Sequence, residues 1–104
     1  MQIDIAKIRR ETMRWLILLT LNNARPLGAH ENLVLSVAQA QYPDATPLEL
    51  RREMDYLDDR ELVKLVKSPS GPWHAELTRH GVDVAEYTVD CEPGIARPPK
   101  YWAG

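Results

Sequence analysis

The spacing of apolar residues changes from a helical to an alternating pattern near residue 61. Upstream of that point they recur three or four positions apart, as at Leu50, Met54 and Leu57. Downstream they alternate with polar residues, as at Trp73, Ala75 and Leu77. The pattern predicts a helix that leads into two strands, 62–67 and 73–78, joined by a Pro/Gly/Ser turn. That pair of strands is a β-hairpin.

The helix before the hairpin has a well-marked start. Thr46-Pro47-Leu48-Glu49 is a capping box, in which the Thr46 side chain caps the helix and Glu49 reaches back towards the cap. Pro47 suits the first helical position, where no backbone N–H is needed. We expect this helix to end near Arg60.

Two more helices are predicted upstream, from about Asp4 to Leu21 and from Glu31 to Gln41. In the second, the residues expected to face inward are Leu33, Val34, Val37 and Ala38. In the first, one stripe is expected to form the core side, namely Ile5, Ile8, Thr12, Trp15, Leu16 and Leu19. The opposite side is also apolar, at Ile3, Ile17 and Leu21. We expect those three residues to be buried in a homodimer.

A short closing helix, opened by Thr78, is expected to run to about Tyr87. The remaining 17 residues have no period and three prolines. The prediction is therefore a mainly helical α+β domain over 1–87, followed by an extended Pro-rich tail over 88–104. At 104 residues the chain fits one domain.

The order helix, helix, capped helix, hairpin, closing helix resembles a winged helix-turn-helix domain. The resemblance covers roughly Trp15 to Tyr87. It lies in Thr46-Pro47-x-Glu49-Leu50-Arg51, Met54-x-x-Leu57, Leu62-Val63 and Leu77-Thr78-x-x-Gly81. This pattern is similar to small bacterial regulators of the MarR, PadR and ArsR types. Glu61 stands where such proteins usually have glycine, and the cysteine pair of the metal-sensing ArsR site is absent. With its tail, the chain also resembles small proteins of Mu-like transposable prophages.

The resemblance implies a DNA-binding transcriptional regulator in which 46–60 is the recognition helix and 64–77 the wing. The residues expected to contact double-stranded DNA are Thr46, Arg51, Arg52 and Tyr56 from the helix, with Lys64 and Lys67 from the wing. The arginines suit guanine edges or phosphate, and the lysines suit phosphate.

The charge pattern keeps a second interpretation open. Net charge is −2, and five acidic residues fall within 53–61. Asp55 and Asp59 share the outward face of the helix, so Arg51 forming an ion pair with Asp55 is an equal alternative. The lysines equally serve to protect an edge strand from aggregation. Leu48 and Tyr56 on that face favour a module that binds protein, such as a phage or prophage accessory factor.

The remaining candidate functional residues are the two aromatic residues of the tail, one cysteine and two histidines. Tyr101 and Trp102 either contact a partner protein or cover the domain's own core. Cys91, His74 and His80 match no recurrent catalytic or zinc-ligand spacing, so we expect no enzyme activity, metal or cofactor. A single cysteine and the lack of a signal peptide or a membrane-spanning segment predict a cytoplasmic protein.

Overall fold

A computed structural model describes residues 2–100 and places them in a mainly helical α+β fold. Helix α1 spans Ile5–Asn23 and begins at Asp4, whose side chain accepts a hydrogen bond from the Lys7 N–H at 3.0 Å. Helix α2 spans Glu31–Gln41, as predicted. Helix α3 spans Pro47–Asp59, and the short helix α4 spans Arg79–Ala85.

The predicted cap of α3 is confirmed at Thr46 but not at Glu49. The Thr46 hydroxyl accepts a hydrogen bond from the Glu49 N–H at 3.2 Å. The Glu49 carboxylate does not reach back to the cap, because the Arg9 guanidinium on α1 binds both of its oxygens, at 2.7 and 2.8 Å. A bidentate ion pair is stronger than a second backbone bond at the cap. Glu49 therefore links α3 to α1 through Arg9.

The hairpin is present, and a third strand extends it. Strands β2 (Val63–Val66) and β3 (His74–Leu77) are antiparallel, with Val63 opposite Leu77. Strand β1 (Ala29–His30) pairs with the other edge of β3, so the order in the sheet is β1-β3-β2. The sequence did not predict β1, since two residues carry no periodic signal.

The turn from α3 into β2 depends on a residue with a left-handed backbone. Glu61 has φ +61°, the region where glycine is ordinarily preferred. This is the position at which the similar regulators carry glycine. Glu61 thus adopts the backbone conformation that glycine favours.

Helix α1 is the central element, and it buries the side that was expected to lie in a dimer. Ile17 and Leu21 are completely buried, together with Met13 and Leu18, in this chain's own core. Of the stripe expected to be core, Trp15 is buried, whereas Ile5, Ile8 and Leu19 are exposed, because α2 and α3 pack on the opposite side of α1. The dimer surface predicted at Ile17 and Leu21 is therefore wrong. Ile3, the third residue of that predicted surface, is exposed. Leu33 is likewise exposed, since α2 packs inward through Val34 and Ala38.

The tail packs against its own domain as far as Pro98. The Gly94 carbonyl accepts from Arg14 at 2.8 Å, and the Ala96 N–H donates to the Glu11 carbonyl at 3.1 Å. Arg97 donates to the carbonyls of Val84 and Val89 at 3.0 and 2.9 Å. The tail is thus part of the folded unit. Tyr101 and Trp102 lie outside the described residues.

Over residues 2–100, no helix combines the length and the apolar character needed to cross a membrane.

Candidate functional site

Arg51, predicted to contact DNA, is held by a carboxylate of its own chain. Its guanidinium donates two hydrogen bonds to Glu31, one of them at 2.8 Å from Nε to Oε2. Glu31 also accepts from the Trp73 N–H at 2.7 Å, and the Arg51 guanidinium lies 4.6 Å from the Trp73 ring centre. The hydrogen bond from Arg51 lowers the pKa of Glu31. Arg51 therefore links α3 to the start of α2 and to the hairpin, and its carboxylate partner is Glu31, not Asp55.

Lys67 also forms an ion pair within its own chain. Its ammonium lies 2.7 Å from the Asp55 carboxylate and 4.8 Å from the Trp73 ring centre. The hydrogen bond to Asp55 raises the pKa of Lys67. This contact neutralises one acidic residue of the α3 surface and one cation of the hairpin together.

The Tyr56 side chain packs against the tail and against two arginines. The Arg14 guanidinium lies 3.5 Å from its ring centre and the Arg60 guanidinium 4.6 Å. Gly94, at φ +109°, crosses so close to the Tyr56 hydroxyl that a Cβ at position 94 would collide with it. The tail and two arginines thus lie against the ring that was predicted to contact DNA.

The other exposed side chains on and near α3 carry little net positive charge. Arg52 and Lys64 are exposed, and neither forms an ion pair with any residue within 2–100. Thr46 and Leu48 are also exposed at the start of the helix. Asp58 and Asp59 are exposed at its end. The charges of these two cations, Arg52 on α3 and Lys64 on β2, are balanced by the two carboxylates, which leaves little net positive charge to attract a phosphate backbone.

A larger surface lies on α1. Four aliphatic side chains are exposed there and on the neighbouring part of α2, with exposed fractions of 74% for Ile5, 52% for Ile8, 39% for Leu19 and 54% for Leu33. Thr12 and Leu16 lie between them and are half-buried. We call the row Ile5, Ile8, Thr12, Leu16 and Leu19 the outer stripe. It carries no charge along its length, which is the composition of a protein interface core.

Leu19 stands between two shallow grooves at one end of the outer stripe. One groove, of about 300 Å³, is lined by Leu33 and Val37 of α2. The other, of about 600 Å³, is lined by Trp15, Tyr87 and Pro98. Each has mainly apolar walls. The combination of an exposed row and flanking grooves is suited to receiving apolar side chains of another protein.

The residues weighed for catalysis or metal binding are not brought together. His74 bonds to the Leu27 carbonyl at 3.0 Å, and its ring lies 5.1 Å from that of His30. His80 and Cys91 line a separate cavity of about 60 Å³ beneath the tail. Burial raises the pKa of the Cys91 thiol, which disfavours the nucleophilic thiolate.

The sequence displayed the outer stripe but gave no indication that it faces solvent. The helical period identified its five positions, together with the buried Trp15, and only the packing of α2 and α3 on the other side of α1 decides which face is exposed. Comparison with family models, with curated proteins and with solved structures finds no match for this chain.

Proposed function

We propose that this chain is a non-enzymatic protein-interaction module with a winged-helix architecture, and that its binding surface is the outer stripe of α1. The element order, the three-stranded sheet and the left-handed turn at Glu61 support the winged-helix assignment. The exposed, uncharged row of aliphatic side chains carries the functional assignment. Exposed apolar patches of this kind mark sites of protein contact.

The charges support a protein partner over DNA. Of the four cations predicted to contact DNA, Arg51 and Lys67 are bound to Glu31 and Asp55. Asp58 and Asp59 remain exposed on the same helix. An accessory role in an assembly, as expected from the resemblance to prophage proteins, fits this distribution better than sequence-specific regulation.

A photo-cross-linking experiment tests the proposal. A benzophenone side chain introduced at Leu19 is expected to form a covalent adduct with a protein in cells that produce the chain. The same group at Lys64 serves as the control, and adding Ile8→Glu to the Leu19 probe should abolish the adduct. Failure of the Leu19 probe to form any protein adduct, or an adduct unaffected by Ile8→Glu, would contradict the proposal.

DNA binding stays as a second candidate, because α3 is a capped helix with a free Arg52. Arg52 and Arg10, neither of them ion-paired within 2–100, line one groove between α1 and α3. With Lys64 they allow two or three phosphate contacts, so affinity should fall with salt at a logarithmic slope of about −2 to −3 per chain. A titration with duplex DNA at low salt checks this candidate. Binding that is lost in Arg52→Ala would support it, and no binding at low salt would remove it.

A further inference from the structure

We propose that the partner seated on the outer stripe is a second copy of this chain, packed antiparallel so that the two α1 helices lie side by side. This proposal rests on the proposed function and names the partner of the same surface. It replaces the dimer predicted through Ile17 and Leu21, whose side chains are buried inside the monomer.

The spacing of the outer stripe is symmetric about Thr12. Ile5 and Leu19 lie seven positions on either side of it, and Ile8 and Leu16 lie four positions on either side. In an antiparallel pair centred on Thr12, Ile5 of one copy therefore meets Leu19 of the other, and Ile8 meets Leu16. The two Thr12 residues meet at the two-fold axis. A two-fold interface must be self-complementary in this way.

The shapes of the two ends are complementary as well. The N-terminal end presents Ile5 and Ile8, which protrude with the highest exposure of the row. The C-terminal end presents the two grooves beside Leu19. Antiparallel packing places the protruding end of each copy against the grooved end of the other. Parallel packing would set the two protruding ends together and leave all the grooves unfilled.

The extent of the surface fits a small dimer. From Ile5 to Leu19 the stripe is about 21 Å long at 1.5 Å per residue. A stable interface buries on the order of 800 Å² on each partner, more than one helix face provides. Leu33, Val37 and the walls of the grooves supply the additional apolar contact, and they adjoin Leu19 directly.

Sedimentation equilibrium of the full chain tests for the second copy. The chain should be a dimer at micromolar concentrations. Leu19→Glu should weaken association about a hundredfold or more, because it places a charge in an apolar interface. Leu48→Glu is the control, since Leu48 is also an exposed leucine, more exposed than Leu19, but lies on α3. It should leave association unchanged, and circular dichroism should find both variants folded. A wild-type monomer, or equal effects of the two variants, would overturn the proposal.

Cysteine cross-linking tests the antiparallel register in a Cys91→Ser background. Thr12→Cys should give a covalent dimer with a short bis-maleimide, whereas Ile5→Cys alone should not. Combining Ile5→Cys with Leu19→Cys should restore the cross-link. Cross-linking by Ile5→Cys alone as efficient as by Thr12→Cys would overturn the antiparallel arrangement. A wild-type monomer whose Leu19 probe captures a different protein in cells would overturn the second copy and leave the interaction module standing.

Discussion

Replacing Glu31 with alanine is expected to lower the free energy of unfolding by about 2 kcal/mol. The Glu31 side chain is only 5% exposed and accepts hydrogen bonds from both Arg51 and the Trp73 N–H. Without it, a guanidinium and a backbone donor lose their partner in a mostly dry site. The loss is smaller than for a fully buried pair because Arg51 is 34% exposed and regains some hydration. Chemical denaturation of the two proteins measures the difference.

The same site gives the stability a predictable pH dependence. The hydrogen bond from Arg51 holds the pKa of Glu31 below its ordinary value of 4.5. A carboxylate with a lowered folded-state pKa stabilises the protein above the unfolded pKa, and that contribution disappears as pH falls through the folded value. Wild-type stability should therefore fall below about pH 4.5, with a steeper slope than in Glu31→Gln. Identical slopes in the two proteins would contradict the assignment.

The second large effect is expected at Arg14, where α1, α3 and the tail meet. Arg14 donates to the Glu53 carboxylate and to the Gly94 carbonyl, each at 2.8 Å, and stacks on Tyr56. The Arg14 and Glu53 side chains are only 12% and 6% exposed. Arg14→Ala should cost about 3–5 kcal/mol, because it leaves a buried carboxylate without a partner.

Two further variants separate the effect of the unpaired charge from the effect of losing the contacts that hold the tail. Arg97→Ala removes bonds to the carbonyls of Val84 and Val89 and a contact with the Tyr87 ring, but it leaves no buried carboxylate unpaired. It should therefore speed hydrogen exchange at Ala96 with a much smaller loss of stability. Arg14→Met combined with Glu53→Leu should recover most of the lost stability, since apolar pairs often replace buried ion pairs without cost. A free energy of unfolding for Arg14→Ala within about 0.5 kcal/mol of the wild-type value would show that the ion pair contributes little to stability.

Local signals in the sequence were sufficient for most of the elements. The bounds of α2, the Thr46 cap and the hairpin follow from capping chemistry and from short-range periodicity, which need no knowledge of the rest of the chain. Strand β1 could not be found in this way. It consists of Ala29 and His30, and it exists only because β3 offers them a free edge.

The site was harder to predict because its chemistry lies between distant residues. Arg51 has Asp55 one helical turn away, yet it binds Glu31, 20 positions upstream. Asp55 binds Lys67 of the hairpin instead. Helix α1 is apolar on two sides, so periodicity could not decide which side faces the core. Those choices are made by the packing of α1 against α2 and α3, which a pattern along one helix does not contain.

The outer stripe of α1 is proposed to be covered by protein, and this protein is proposed to be a second copy of the chain. Isotope-filtered nuclear Overhauser spectra of a mixture of labelled and unlabelled chains test it directly. We expect intermolecular contacts between the methyl groups of Ile5 in one copy and Leu19 in the other. Intermolecular contacts that arise from Leu48 on α3, or no intermolecular contact at all from the stripe, would contradict the claim.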